Sequence, residues 1–254
     1  METGKYTKLN DAYISVIESL RHACALNDSE LEIKWILSEE MESIIDSEDN
    51  KLQEIFADIN GVLVPGGFGE RGIEGKIKAI AYARENKIPF LGLCLGMQCA
   101  VIEFARNVAN LQSANSTEFE TNTPHPVIDF MEGQSKNIQK GGTMRLGAYP
   151  CQLLIGSLVE SLYNASSISE RHRHRYEFNN LYRNLLTEAG LIVAGINTEQ
   201  DLVEIIELST DIHPFFVGTQ FHPEYKSRPS KGHPLFVAFI KASLNNLIKK
   251  SKFT

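Results

Sequence analysis

Between residues 61 and 106 the chain alternates short apolar runs with stretches of helical periodicity: Gly61 to Val64, a helix from about Gly75 to Arg84, Ile88 to Cys94, and a helix from about Gly96 to Arg106. Runs this short and this apolar offer water no polar face, so they read as strands covered on both sides. Strands alternating with helices in this order imply a parallel sheet with helices packed on its two faces. The fold class is therefore α/β. A chain of 254 residues with 43% hydrophobic content can bury one sizeable core, which excludes a disordered or collagen-like polymer.

The flanking segments fit the same plan. Tyr13, Ile14, Ile17, Leu20 and Cys24 recur at three- and four-residue intervals, predicting an amphipathic helix over Asn10 to Ala25 with Asn10 as N-cap. Leu31 to Leu37 reads as a strand, and the acidic stretch Ser38 to Asn60 as short helices. Residues 107 to 149 are rich in Asn, Thr, Gly and Pro, and predict loops around short strands that wall a site. Leu191 to Ile196 and Leu202 to Leu208 flank a polar turn and predict a hairpin, a small antiparallel region beside the mostly parallel sheet. Phe215 to Phe221 is a further strand. Pro234 to Lys250 carries Leu235, Phe239, Ile240, Leu244, Leu247 and Ile248 on one helical stripe that ends in lysines. With no internal repeat and no linker-like stretch, residues 1–254 read as one domain.

Charge and cysteine usage remove several function classes. A net charge of −7 gives no broad attraction to nucleic acid or anionic membrane. Cysteines 24, 94, 99 and 151 have neither zinc-site spacing nor the density of a secreted disulfide framework, which points to a reducing compartment and no metal. The longest apolar runs fall short of a membrane span, and Met1-Glu2-Thr3-Gly4-Lys5 has no signal-peptide core. The expectation is a soluble cytoplasmic protein.

Three elements carry chemistry. Pro89 to Gln98 takes an apolar strand through the turn Gly92-Leu93-Cys94-Leu95-Gly96 into a helix, the pattern of a nucleophile elbow with sulfur in place of a hydroxyl. The flanking glycines permit a crowded turn, and the helix N-terminus favours thiolate over thiol. Taken alone, Cys94 is equally compatible with a small buried hydrophobe. Upstream, Val62-Leu63-Val64-Pro65-Gly66-Gly67-Phe68-Gly69 is a strand followed by a glycine turn that can aim backbone N–H groups at an oxyanion. Downstream, Gly218-Thr219-Gln220-Phe221-His222-Pro223-Glu224 delivers an imidazole and, two residues on, a carboxylate. A thiol attacking an amide needs such a pair, one to shuttle the proton to the leaving amine and one to fix the ring's tautomer. His222 on its own reads as a satisfied histidine; the ordered Cys, His-x-Glu set is what points to catalysis.

On these motifs the sequence resembles the class I, triad-type glutamine amidotransferases, and among them the glutaminase domains of the CTP synthases. Gly92 to Gln98 and Gln220 to Glu224 mark the wider class. Gly4 to Thr7, Val62 to Lys76 and Asn115 to Phe119 extend the resemblance along the chain, and Gly141-Gly142-Thr143-Met144-Arg145-Leu146-Gly147 and Glu170-Arg171-His172-Arg173-His174-Arg175-Tyr176-Glu177 match the narrower group. The resemblance implies a single-domain class I amidotransferase fold that hydrolyses L-glutamine to glutamate and ammonia, for amination of UTP to CTP. It makes Cys94 the nucleophile, His222 the general base and acid, and Glu224 the orienting carboxylate. It places the N–H groups of Gly67 and Leu95 at the oxyanion hole, and Gly67, Phe68, Leu95, Gln98, Glu118 and Arg173 around glutamine. In that arrangement Glu118 pairs with the substrate ammonium and Arg173 with its carboxylate. No cofactor or metal is implied here: ATP, UTP and Mg belong to an amidoligase domain, the implied partner, and GTP is the implied allosteric effector.

Two points stay open at the level of sequence. By composition Arg171 to Arg175 reads as a solvated face, whereas the resemblance gives Arg171 or Arg175 to domain docking or to the effector. In the family a strand runs into the Gly-Lys-Tyr segment after the amidoligase domain, while three residues precede Gly4 here; the expectation is an uncovered sheet edge and a less stable domain. An amidotransferase for another acceptor, a γ-glutamyl hydrolase-like thiol hydrolase, or a catalytically weak assembly module are the alternatives, and the 141–147 and 170–177 segments argue against the first two.

Overall fold

The computed structural model describes residues 2–4, 13–44, 49–130 and 144–252. Lys5 to Thr7, the expected N-cap Asn10 and Gly141 to Thr143 lie outside the described residues. A nine-stranded mixed sheet forms the centre. Its parallel half runs in the spatial order β2 (Trp35–Leu37), β1 (Glu2–Gly4), β3 (Val62–Val64), β4 (Phe90–Leu93) and β12 (Phe216–Thr219). Its antiparallel half continues through β11 (Leu202–Glu207), β10 (Ile192–Asn197), β7 (Arg145–Leu153) and β8 (Ser167–His174). A second sheet of three strands, β5 (Ala114–Ser116), β6 (His125–Phe130) and β9 (Tyr176–Phe178), stands beside it.

Period-two alternation divides the core into two layers. Val62, Val64, Phe90, Ile206 and Phe216 face one side, where they meet α2 (Ser38–Ser43), α3 (Asp49–Phe56), α4 (Ile73–Glu85) and α5 (Leu95–Asn107). Leu63, Leu91, Leu93, Ile205 and Val217 face the other, against α1 (Ile14–Leu26), α6 (Leu158–Tyr163) and α8 (Pro234–Ser251). Helix α5 is buried from Leu95 to Ala105, because the main sheet covers one side and the small sheet packs on another. A buried carboxylate on this helix requires a partner. Glu103 has one: the Arg84 guanidinium reaches both its oxygens, with N···O distances of 2.8 to 3.0 Å.

Several boundaries move from their sequence expectations. The first helix begins at Ile14, and the Leu31 to Leu37 strand contracts to Trp35–Leu37. The expected open edge is filled: Glu2, Thr3 and Gly4 pair in parallel with Trp35, Ile36 and Leu37, and Glu2 pairs with Leu63. The largest addition is the β7–β8 hairpin, which pairs Arg145 with His174 and Gly147 with His172. Cys151 and Leu153 bury its far end, but over the rest of its buried face Arg145, Glu170, His172 and His174 stand where aliphatics would be expected, so hydrophobic alternation gives little signal for it. The two short helices between Ser38 and Asn60, the hairpin at residues 191–208 and the C-terminal helix follow the sequence. Among the described residues no helix is long and apolar enough to cross a membrane.

Candidate active site

Cys94 occupies the single residue between β4 and α5. Its backbone sits at φ +50°, ψ −103°, a region in which a side-chain-bearing residue is strained by about 1–3 kcal/mol. Neighbouring contacts impose that turn. A Cβ on Gly96 would lie 2.0 Å from the Val64 carbonyl oxygen, and one on Gly92 would lie 2.8 Å from the Gly96 carbonyl. The elbow therefore closes onto β3 only because both flanking positions are glycine. The main chain is pinned further by a hydrogen bond from Cys94 N–H to Thr219 O, 2.6 Å.

Because β4 and β12 are adjacent and parallel, with Leu93 opposite Thr219, the residues following each strand emerge at the same sheet edge. This brings His222 to Cys94. The imidazole Nδ1 is 2.6 Å from Glu224 Oε1, its face stacks on Tyr225 at 5.0 Å between centroids, and its own backbone N–H donates to Arg171 O of β8, 2.8 Å. Burial opposes a charge on His222, yet the sulfur of Cys94 and the Glu224 carboxylate outweigh it and raise the ring's pKa well above the usual imidazole range. The ring therefore keeps its proton between a sulfur and a carboxylate.

Gly67 lies in the turn after β3, and Leu95 is the first residue of α5, so the Leu95 N–H has no carbonyl a turn back to accept it. Gly66, absent from the expected set, lies against both Cys94 and His222: a Cβ there would stand 2.9 Å from His222 Cε1 and 3.5 Å from Cys94 Cβ. A narrow cleft beside the sulfur is lined by Gly67, Phe68, Cys94, Gln98, Glu118, His174, Arg175 and Tyr176. Glu118 is positioned by a Ser116 hydroxyl that accepts its N–H at 3.1 Å, and its own Oε1 accepts from Gly69 N–H at 2.9 Å. The cationic side chain that lines this cleft is Arg175. Arg173 projects from the exposed face of β8 with its guanidinium 6.0 Å from the Phe68 ring centre, at the rim.

The Glu170 to Glu177 segment thus separates by parity. Arg171 and Arg173 face out, while Glu170, His172 and His174 face in. Under the cleft, Arg145 sits 2.6 Å from Glu204 and 3.6 Å from Glu177. His172 Nδ1 is 2.9 Å from His174 Nε2. Burial pushes Glu204 up to about 7 against the pull of Arg145. Burial and the Arg145 charge lower His172 to about 2 and His174 to about 3, so both rings stay neutral. Sequence reasoning missed Gly66, Gln220 and the inward-facing histidines. The doubled glycine at 66–67 and the strict alternation from Glu170 to Arg175 were the available signals.

The comparisons with known proteins agree with this geometry. Residues 8–242 match the family model described as glutamine amidotransferase class-I. The CTP synthase of Caldanaerobacter subterraneus subsp. tengcongensis is 57% identical over 249 residues, covering 98% of this chain and 45% of the relative. That of Carboxydothermus hydrogenoformans is 58% identical over 241 residues, covering 95% and 44%. The chain therefore spans less than half the length of these curated relatives. Among solved structures, the glutaminase domain of Trypanosoma brucei CTPS with bound acivicin superposes with a TM-score of 0.88 at 34% identity, covering 96% of this chain and 92% of that one. An elbow cysteine, a His-x-Glu partner delivered by the adjacent parallel strand, and these matches lead to one conclusion: the chain belongs to the class-I glutamine amidotransferase family.

Proposed function

We propose that this chain hydrolyses L-glutamine through a thioester on Cys94 and supplies the ammonia to the amidoligase half of a CTP synthase, which aminates UTP. The observation that carries the reading is the His222 imidazole, tied through Nδ1 to Glu224 at 2.6 Å and delivered by the adjacent parallel strand to Cys94, which lines a cleft together with Glu118 and Arg175. Opposite charges lining one cleft with a nucleophile suit a zwitterionic amino acid whose side-chain amide reaches the sulfur.

In the forward step the sulfur attacks the amide carbon of glutamine, and the oxygen takes the negative charge between the N–H groups of Gly67 and Leu95. His222 passes its proton to the nitrogen, the C–N bond breaks, and ammonia leaves a γ-glutamyl thioester. His222, now neutral, takes a proton from water; the hydroxide adds to the thioester carbon, and glutamate departs as the C–S bond breaks. Glu224 holds Nδ1 throughout, so that Nε2 is the nitrogen that exchanges protons. The proposed glutamine-binding set is Gly67, Phe68, Leu95, Gln98, Glu118 and Arg173, to which Arg175 is added as a cleft-lining cation. No step calls for a cofactor or metal in this domain. ATP, UTP and Mg would bind the amidoligase half, and GTP would act as effector, with Arg171 on the exposed face of β8 as a docking or effector contact. The spacing of the four cysteines, unlike that of a secreted disulfide framework, is the support for a cytoplasmic setting.

The test is glutamate release from glutamine by this chain and by Cys94→Ala, with and without GTP and an added CTP synthase amidoligase domain. Turnover lost in the variant and stimulated by the added domain supports the reading. Turnover that survives Cys94→Ala overturns the mechanism, and turnover indifferent to the amidoligase domain overturns the assignment to CTP synthesis.

A further inference from the structure

Cys94 is held twice by one short segment. Its N–H donates to the carbonyl of Thr219, and the side chain of the next residue, Gln220, lies with Nε2 3.7 Å from Sγ. Gln220 is fully buried, and its own N–H is bound to Glu204 O at 2.8 Å. The polarity of its amide follows from a single fixed acceptor. The backbone carbonyl of Tyr176 can only accept, so the end of the Gln98 amide 3.0 Å from it is the NH2. That same nitrogen stands 3.2 Å from the Gln220 amide, which must therefore turn its oxygen to Gln98. The other end of Gln220, the one that meets Cys94, is then the donor.

We infer that Gln220 is a positioning residue for the nucleophile: its amide, oriented through Gln98 by the Tyr176 carbonyl, donates a hydrogen bond to the Cys94 sulfur and stabilises the thiolate independently of His222. Both amides are neutral, so the donor stays in place when His222 loses its proton. That moment comes once in the cycle proposed above. After ammonia leaves, the ring is neutral and the sulfur is acylated. When the C–S bond then breaks, after His222 has taken a proton from water and the hydroxide has added to the thioester carbon, sulfur departs with the bonding pair, and Gln220 donates to it alongside the re-formed imidazolium. The chain also links substrate to nucleophile, because Gln98 lines the cleft and holds Gln220 in register. The inference rests on Cys94 being the nucleophile. Its test reads the thiol itself, so it can fail while glutamine hydrolysis stands, and hydrolysis can fail while it stands.

The experiment is the pH dependence of Cys94 alkylation by iodoacetamide, with the slow background of the other cysteines subtracted using Cys94→Ala. In Gln220→Met the reactivity midpoint is expected to rise by about one pH unit, a tenfold fall in thiolate fraction on the acid side. Gln98→Met, which removes no contact to sulfur, is expected to move it in the same direction by less, and the double variant no further than Gln220→Met alone. An unmoved midpoint in folded Gln220→Met, or additive shifts in the double variant, overturns the proposal. If Gln220→Met shows no cooperative melt, Gln98→Met decides alone: a raised midpoint supports the relay and an unchanged one sinks it.

Discussion

Gly66→Ala isolates the geometry on which the site depends. The added methyl would stand 2.9 Å from His222 Cε1 and 3.5 Å from Cys94 Cβ, whereas non-bonded carbons rest at about 3.5–4.0 Å. The ring or the loop must therefore yield by about 0.6 Å or more. The ring has little freedom, since Nδ1 is tied to Glu224 at 2.6 Å and its face lies on Tyr225 at an interplanar angle of 17°. A misplacement of about 1 Å in a reacting group costs on the order of 10²-fold in rate, so kcat/KM for glutamine should fall about 30- to 100-fold. Overpacking adds a stability loss of about 1–3 kcal/mol. Gly67→Ala is the matched control: its methyl meets only Leu95 Cδ2, at 3.2 Å, the far end of a flexible side chain, and it keeps the N–H. Its loss should stay within about fivefold, since a one-methyl contact of this kind is worth about a kilocalorie. Glutamate release gives the rates and a thermal melt separates folding from chemistry. A folded Gly66→Ala enzyme within threefold of the parent, or a Gly67→Ala enzyme the more impaired of the two, would falsify the placement of the ring.

Three further outcomes follow from the same contacts. In Glu224→Gln the charge that helps hold the His222 proton is gone, so the raised ring pKa drops and the alkaline limb of the activity profile moves down toward neutral pH; a limb that stays in place would leave Cys94 as the sole cause of the elevation. Gly96→Ala would set a methyl 2.0 Å from the Val64 carbonyl oxygen, and is expected to cost about 3 kcal/mol or more by overpacking, read by denaturant melts; a near-native midpoint would mean that the elbow can open without unfolding. Arg145→Met strands Glu204 and Glu177, at a cost of about 3–5 kcal/mol. Both carboxyls already have pKa values raised by burial, so in the native state their charged forms are the liability, and the deficit should grow from pH 5 to pH 8. Equal deficits at both pH values would show that Arg145 does not hold these carboxyl pKa values down in the folded state.

How far the sequence announces this arrangement depends on which physical force places each part. The parallel strands announce themselves because burial on both faces demands unbroken apolar runs such as Val62 to Val64 and Phe90 to Leu93. Cys94, His222 and Glu224 are legible because each sits in a local pattern of glycine, proline and strand end that the backbone needs wherever it makes such a turn. The β7–β8 hairpin is not, because its inward face is held by ions and imidazoles. Arg145, Glu204, Glu177, His172 and His174 cluster across the four strands β7, β11, β9 and β8, and where they meet neither β7 nor β8 carries an apolar stripe to reveal the pairing.

The Glu170 to Glu177 run makes the same point from the functional side. As composition, three arginines in five residues read as one charged patch; as a strand, they divide between two faces with different work. Arg171 and Arg173 remain outside, where charge costs little. His172 and His174 go inside and stay neutral, and the Arg171 carbonyl, not its side chain, is what fixes the backbone of His222. Pairing between distant strands decides these assignments. β12 lies beside β4 although the chain builds the small sheet and half of the large one between them, and that adjacency sets Thr219 against the Cys94 backbone and Gln220 against its sulfur. Residue types therefore disclose which groups can react, whereas the order of strands in the sheet determines which neutral neighbours hold the reacting sulfur in place.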